Sequence, residues 1–239
     1  MLDLSKEVTI FVITTDKSCN YDECIKALKA QNVFFNIIII KNYHPMSNAF
    51  QQMINKCETA YYIQVDEDMI LYPNAIETMY NEIIKTPNNI SIVAFMLKDI
   101  HLNFPICGVK IYKHSTLKKY PYNLTCLSCE VEQIDRMKID GYTFYTSTQI
   151  VGDHSPDWTN VSIFERYFNI MEKYKKFKYD WMKDIPNKLW EILKDNTTKQ
   201  NLFALLGAYT SIIKSDTEQS EKDYTQEERP ELVKLKSLI

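Results

Sequence analysis

The period of the apolar residues switches back and forth three times in the first 85 positions, and this alternation constrains the fold more than any other feature of the sequence. Val8 to Thr15 is a β-branched run ending in polar residues, which reads as a strand. Asn20-Tyr-Asp-Glu23 then opens an amphipathic stretch with Cys24, Ile25 and Leu28 on one side, and this capping-box-like start predicts a helix. Phe34 to Ile40 is almost continuously apolar, the pattern of a strand buried on both faces of a parallel sheet. A polar loop, Lys41 to Pro45, leads to Ser47 as the expected N-cap of a helix carrying Ala49, Phe50, Met53 and Ile54 on its inner side. Strand Ala60 to Val65, an acidic turn Asp66-Glu67-Asp68, and a helix opened by Pro73 and running to about Lys85 follow. Three strand-helix units in succession predict an α/β fold, a mostly parallel sheet flanked by helices.

Ile90 to Leu97 reads as a further strand, the pattern loosens through His101 to Cys107, and Gly108 to Lys113 reads as a strand again. Ser128 to Asp140 predicts a short helix capped by Gly141, and Tyr142 to Val151 a closing strand. Beyond Pro156 the character changes: Ile163, Tyr167, Ile170 and Tyr174, flanked by Phe164, Phe168 and Met171, form a broad helical stripe, and Leu189 to Leu193 and Leu202 to Ile213 suggest more helices. The expected organisation is a catalytic α/β domain over 1–155, a helical extension over 156–214 and a polar acidic tail over 215–239. That tail holds seven acids and four bases, so the remaining chain carries 24 charges of each sign and is neutral.

Composition removes several function classes. Four glycines in 239 residues, against a usual share near 7%, include no pair at the spacing of a P-loop or a glycine-rich dinucleotide fingerprint. A neutral body is not that of a nucleic-acid-binding protein. Four histidines form no HExxH, which excludes a zincin. Six cysteines contain one CxxC, Cys126 to Cys129, too few ligands for a closed zinc site and a usage that suits a reducing compartment. The N-terminus lacks the layout of a signal peptide, and the other apolar runs, about eight residues long, fall far below the ~20 of a membrane span. The expected location is the cytoplasm, with peripheral membrane contact through 166–188, where lysines interleave with Tyr, Phe and Trp, as the alternative to plain helix packing there.

Ligands of parallel α/β sheets bind beyond the carboxyl ends of the strands, and the acidic turn lies at such an end. Side chains alternate along extended chain, so Asp66 and Asp68 are expected on one side and Glu67 on the other. Two hard oxygen donors on one side suit Mg2+ or Mn2+ against a diphosphate; by itself the same D-x-D also reads as a solvated acidic turn. The segment resembles the D-x-D of GT-A glycosyltransferases, especially the family-2-like group, in which a proline-opened helix follows. Ser47-Asn-Ala-Phe-Gln51, one helix upstream, and Cys129-Glu-Val-Glu-Gln-Ile-Asp-Arg136 followed by Gly141-Tyr142, downstream, match further segments in family order. The resemblance covers roughly residues 7 to 155.

The resemblance implies a metal-dependent, inverting transferase that moves a sugar from a nucleotide-sugar donor to a hydroxyl of a glycan, glycolipid or other acceptor, as in polysaccharide biosynthesis. It places Asp66, Asp68 and His154 on the metal, Thr14, Thr15, Asn42, Gln51 and Asp66 on the nucleotide, and Glu130 as the general base. Lys41-Asn-Tyr-His44 stands where the family reads the nucleobase with an Asp-Asp-Gly-Ser-like run, and Cys129 replaces the first acid of the family's pair. Glu130 at a helix start also reads as a dipole-favoured cap, and Glu132, four before Arg136, as an ion-pair partner. A nucleotidyltransferase and a non-catalytic nucleotide-sugar-binding module are the alternatives. The first lacks its usual glycine-rich loop, and the second would hold if Glu130 lay far from the metal residues. Residues 215–239 are expected to be dispensable: truncation after Lys214 should leave donor hydrolysis intact, and a tenfold loss in a folded truncation would contradict this.

Overall fold

Period-2 patterning decides which side chains each strand sends to which layer, and the computed structural model shows the result for residues 2–15, 20–125, 128–156, 158–178 and 180–213. Asp16, Cys126 and the tail 215–239 lie outside these described residues. The chain divides into two compact units, Met1–Asp157 and Trp158–Ile239. The first runs β1 (Leu2–Asp3), β2 (Val8–Thr14), α1 (Tyr21–Lys29), β3 (Val33–Phe34), β4 (Asn36–Lys41), α2 (Met46–Lys56), β5 (Tyr61–Asp66) and β6 (Met69–Leu71). It continues with α3 (Ala75–Ile83), β7 (Ile90–Asp99), β8 (Phe104–Lys113), α4 (His114–Leu117), α5 (Cys129–Ile139) and β9 (Thr143–His154).

Seven strands form one sheet in the order β4-β2-β5-β8-β7-β9-β6, and β1 pairs with β3. β2 is parallel to β4 and β5, and β7 is parallel to β9. β8 runs antiparallel between β5 and β7, and β6 antiparallel along β9. Ile10, Val12, Ile63 and Val65 face α1 and α3 with Cys24, Leu28, Ile76 and Met79. Phe11, Tyr62 and Tyr112 face α2 and α5 with Phe50, Met53, Cys129 and Met137. Each such side chain contributes roughly 1.5–3 kcal/mol on full burial, so a one-residue slip of β2 or β5 would misplace several at once.

Several elements differ from the sequence-based expectation. Among the described residues the run ending at Ile40 is the edge strand of the sheet and is covered on one face only: Ile38 and Ile40 pack with Phe50 and Met53 of α2, whereas Ile37 and Ile39 on the other face are 36% and 37% exposed. Asn20 stands at the N-cap of α1 without a side-chain cap bond; its amide instead donates to the Ser155 carbonyl. α2 starts at Met46 after Pro45, and Ser47 turns its hydroxyl to the Leu124 carbonyl, 3.3 Å away. Met69–Leu71 was not expected as a strand, β8 starts earlier, at Phe104, through its hairpin pairing with β7, and β9 extends to His154 through Asp99 and Met69. Gly141 does cap α5, with φ of 80° and bonds of 3.0 Å from its N–H to Lys138 and from Tyr142 N–H to Met137, a Schellman closure.

The second unit contains α6 (Asn160–Phe177), α7 (Asp180–Lys183), α8 (Ile185–Asp195) and α9 (Lys199–Ile213). Thr159 and Ser162 form a capping box at the start of α6. The aromatic stripe of α6 is core within this unit: Ile163, Phe164, Tyr167, Phe168 and Met171 are all buried, and α6 packs along α9. Among the described residues no helix is long and apolar enough to cross a membrane.

Gly152 lets β6 lie close along β9. A Cβ there would sit 2.6 Å from the Ile70 carbonyl oxygen and 3.0 Å from Leu71 Cα, both backbone atoms of β6. Gly152→Ala should therefore destabilise the protein by about 1–3 kcal/mol, the scale of overpacking, read as a lower urea midpoint with an unchanged slope; an unchanged midpoint would show that β6 is not held this way.

Candidate active site

The end of β9 gathers the first group. His154 is opposite Met69 of β6 and Asp99 of β7 in register, so it is flanked by a carboxylate on each side. Its Nε2 lies 3.4 Å from Asp68 Oδ2, and its Nδ1 3.0 Å from Asp99 Oδ2. Asp99 is fully buried, and its second oxygen, Oδ1, accepts the backbone N–H groups of His101 at 3.1 Å and Leu102 at 2.8 Å. The Nδ1 contact with Asp99 is the shorter of the two and is the one at hydrogen-bond distance, and it turns Nε2 towards Asp68.

Tyr62, Gln64 and Asp66 alternate onto one face of β5, where β8 supplies Lys110 opposite Gln64 and Tyr112 opposite Tyr62. Tyr62 and Tyr112 stack with ring centroids 4.6 Å apart. The Tyr112 hydroxyl donates to Gln64 Oε1 at 3.1 Å, and Gln64 Nε2 donates to Asp66 Oδ1 at 3.2 Å. Burial, with the charge of Asp68 beside it, pushes the Asp66 carboxyl up to about 6, against smaller lowering from Gln64 and Lys110; Glu130 adds to the rise. Lys110 Nζ bonds Glu130 Oε1 at 2.6 Å. Burial pulls that ammonium down, but the Glu130 carboxylate outweighs it and Lys110 ends above its ordinary value. Glu130 starts α5, as expected, and Glu132 is engaged elsewhere: Arg136 holds it at 2.7 and 3.0 Å and also donates to the Pro121 carbonyl.

Glu67 crosses to the end of β2. Thr14 donates its hydroxyl to Glu67 Oε2, Thr15 donates to Oε1 at 3.0 Å, and Glu67 N–H reaches the Ile13 carbonyl at 3.1 Å. Both threonine hydroxyls proposed for the nucleoside thus meet an acid of the neighbouring strand end. Asn42 adopts φ of 57° and donates its N–H to the Thr14 carbonyl at 3.0 Å, which puts it beside Thr14. Gln51 accepts Tyr122 N–H and donates to Asn55, both at 2.8 Å, so its amide fastens α2 to the stretch before α5. Cys24 lies under the acidic turn with Sγ 3.8 Å from the Asp66 carbonyl. Burial, reinforced by Asp68, Asp66 and Glu67, pushes its thiol up to about 12.

Two members escaped the sequence reading. Lys110 takes the polar place in the alternation between Val109 and Ile111, where it reads as an outward-facing lysine, and only the approach of α5 gives it Glu130 as a partner. Asp99 closes β7 just after Lys98, and only the pairing of β7 with β9 shows what it faces. Among the described residues no three of His, Cys, Asp and Glu converge as a metal cage; the chain brings together Asp68 and His154, with Asp66 near enough to feel the charge of Asp68. Oxygen from Asp68 and a lone pair from His154, with the rest of a coordination shell left to diphosphate and water, fit Mn2+ or Mg2+.

No protein-family profile and no curated protein matches the chain. Among solved structures, it is similar to a mannosyltransferase from Pyrobaculum calidifontis in complex with GDP-mannose and Mn2+, with 11% identity, 89% of this chain and 76% of that chain covered, and a TM-score of 0.52. It also matches glucosyl-3-phosphoglycerate synthase from Mycobacterium tuberculosis (10% identity, 64% and 72% covered, TM-score 0.48). A third match is S. aureus TarS (11% identity, 86% and 71% covered, TM-score 0.47). The fold is GT-A-like, a mixed seven-stranded sheet flanked by helices.

The raised Asp66 carboxyl has a measurable sign. With a folded value near 6 above the usual carboxylate value near 4, it favours the fold while protonated, and that contribution is lost as pH climbs between the two. In chelator, Asp66→Asn should unfold like wild type at pH 4 and be more stable by about 1–3 kcal/mol at pH 8; equal stabilities at pH 8 would contradict the assignment.

Proposed function

We propose that the chain is a metal-dependent glycosyltransferase of the inverting kind, moving a sugar from a nucleotide-sugar donor to a hydroxyl of a glycan, glycolipid or other acceptor. The catalytic part in this reading is 1–155, with 156–214 as its helical extension. One observation carries it: Asp66 feels the charges of both Asp68 and Glu130, so the candidate cation ligands and the candidate base share one end of the sheet. That favours a transferase over a binding module, for which Glu130 would have to be remote. The similar mannosyltransferase, crystallised with GDP-mannose and Mn2+, supports a nucleotide-sugar donor and a divalent cation on the same fold.

Asp68 and His154 Nε2 would hold Mn2+ or Mg2+, with Asp66 beside them. A divalent cation there offsets the charge that develops on the departing nucleoside diphosphate. Thr14, Thr15 and Asn42, at the ends of β2 and β4, take the nucleoside side, and Gln51, its amide held by Tyr122 N–H and Asn55, joins them on the nucleotide. Glu130, fixed in position by Lys110, takes the proton of the acceptor hydroxyl as that oxygen bonds the anomeric carbon and the carbon–oxygen bond to the diphosphate breaks. Attack from the face opposite the leaving group inverts the anomeric centre.

A thermal-shift screen of GDP and UDP with and without Mn2+ identifies the base, since a ligand of the native state raises stability by mass action. With the donor known, Asp68→Ala should lose the metal-dependent part of nucleoside diphosphate affinity. Glu130→Gln should keep donor binding and lose transfer by about 100-fold or more, whereas Glu132→Gln should transfer nearly as wild type. Near-wild-type turnover by Glu130→Gln at saturating donor and metal would refute the base, and metal-independent binding by wild type would refute the cation.

A further inference from the structure

We infer that Asp99 is the positioning residue that makes His154 a metal ligand, by fixing the imidazole proton on Nδ1 and so presenting the Nε2 lone pair beside Asp68. The inference rests on the metal-dependent reading and adds to it a residue that touches neither substrate nor cation. Asp99 is sealed at the end of β7, 0% exposed, and a carboxylate so placed is costly unless its oxygens are met. Both are met, and by different groups: Oδ1 takes two backbone N–H groups, from His101 and Leu102, and Oδ2 takes His154 Nδ1. The two backbone donors hold the carboxylate in place, and it in turn fixes the tautomer and orientation of the ring, the arrangement by which buried carboxylates steer ligating imidazoles. Strand pairing supplies the geometry, since Asp99 is opposite His154 between β7 and β9 while Met69, next to Asp68, is opposite His154 between β6 and β9.

The split use of the two oxygens makes the isosteric variant informative. In Asp99→Asn the single amide oxygen is claimed by the His101 and Leu102 N–H groups, which leaves the NH2 facing His154 Nδ1. A donor there makes Nδ1 an acceptor and moves the ring proton to Nε2, directing an N–H at Asp68 where the lone pair had been. A side chain that merely filled space would leave the tautomer alone.

The experiment is long-range 1H–15N NMR of the metal-free full chain at pH 8, with the four imidazoles sorted by comparison with His154→Gln. In parallel, Mn2+ is titrated in the presence of GDP or UDP and followed by electron paramagnetic resonance. Wild type should show His154 carrying a proton on Nδ1. Asp99→Asn should show it protonated on Nε2 and bind Mn2+ about 10- to 100-fold more weakly, the usual cost of losing such a partner. Wild-type His154 carrying its proton on Nε2 overturns the inference without any variant, and so does an Asp99→Asn protein that keeps the wild-type tautomer and Mn2+ affinity while His154→Gln loses the metal. Wild-type Mn2+ affinity no better than that of His154→Gln also overturns the inference, because His154 is then not a ligand, whereas a wild type that binds no Mn2+ with either nucleotide overturns the metal-dependent reading itself.

Discussion

The candidate site depends first on the pairing of β9 with strands of opposite sense on its two sides. β7 runs parallel to it and β6 antiparallel, so both neighbours bring a chain terminus of the opposite kind to the same point: β7 ends there and β6 begins there. Asp99 is the last residue of one, Asp68 immediately precedes the other, and His154 closes β9 between them. A strand pairing on either side shifted by one residue would turn one of these side chains to the opposite face. The apolar residues behind them, Phe95 and Leu97 on β7 and Val151 on β9, are buried in a single core, and their packing holds the register.

A second constraint lies on the other face. The row Tyr112, Gln64, Asp66 passes hydrogen bonds towards the sheet end, and Lys110 with Glu130 lies alongside it. Buried polar groups are tolerable when each finds a partner, and the antiparallel insertion of β8 next to β5 supplies the partners. A purely parallel arrangement at that position would not have aligned Lys110 with Gln64. The mixed sheet is thus what lets one surface carry carboxylates and an ammonium within a few ångströms.

Local chemistry made much of this legible in advance. The strands around Ile10, Ile63 and Val93, the helices around Met53 and Met79, and the Gly141 cap follow from period, apolar spacing and turn residues, because each is decided within a dozen positions. What was not legible depends on partners far away in sequence. Nothing near Phe34 to Ile40 says that one face of the strand lacks a covering layer, so the run reads as buried on both sides. Asn20 and Ser47 look like caps because their neighbours are right for it, yet each reaches a distant carbonyl instead, at Ser155 and Leu124. At the site, the acidic turn and Glu130 could be singled out by residue type and order. Asp99 could not, since a lone acid at a strand end has meaning only once its neighbour across the ladder is known.

Cys24 gives the acidic turn one more property. Sulfur is a soft donor, and thiolates draw zinc, copper and other soft or borderline cations far more strongly than magnesium or manganese. Here a thiol lies under the acidic turn, and burial, reinforced by the turn's three acids, pushes it up to about 12. With no cation bound, the turn keeps this sulfur in the thiol form, the weaker donor to such metals. Oxidants that reach the turn therefore meet a thiol without the thiolate character on which their attack depends.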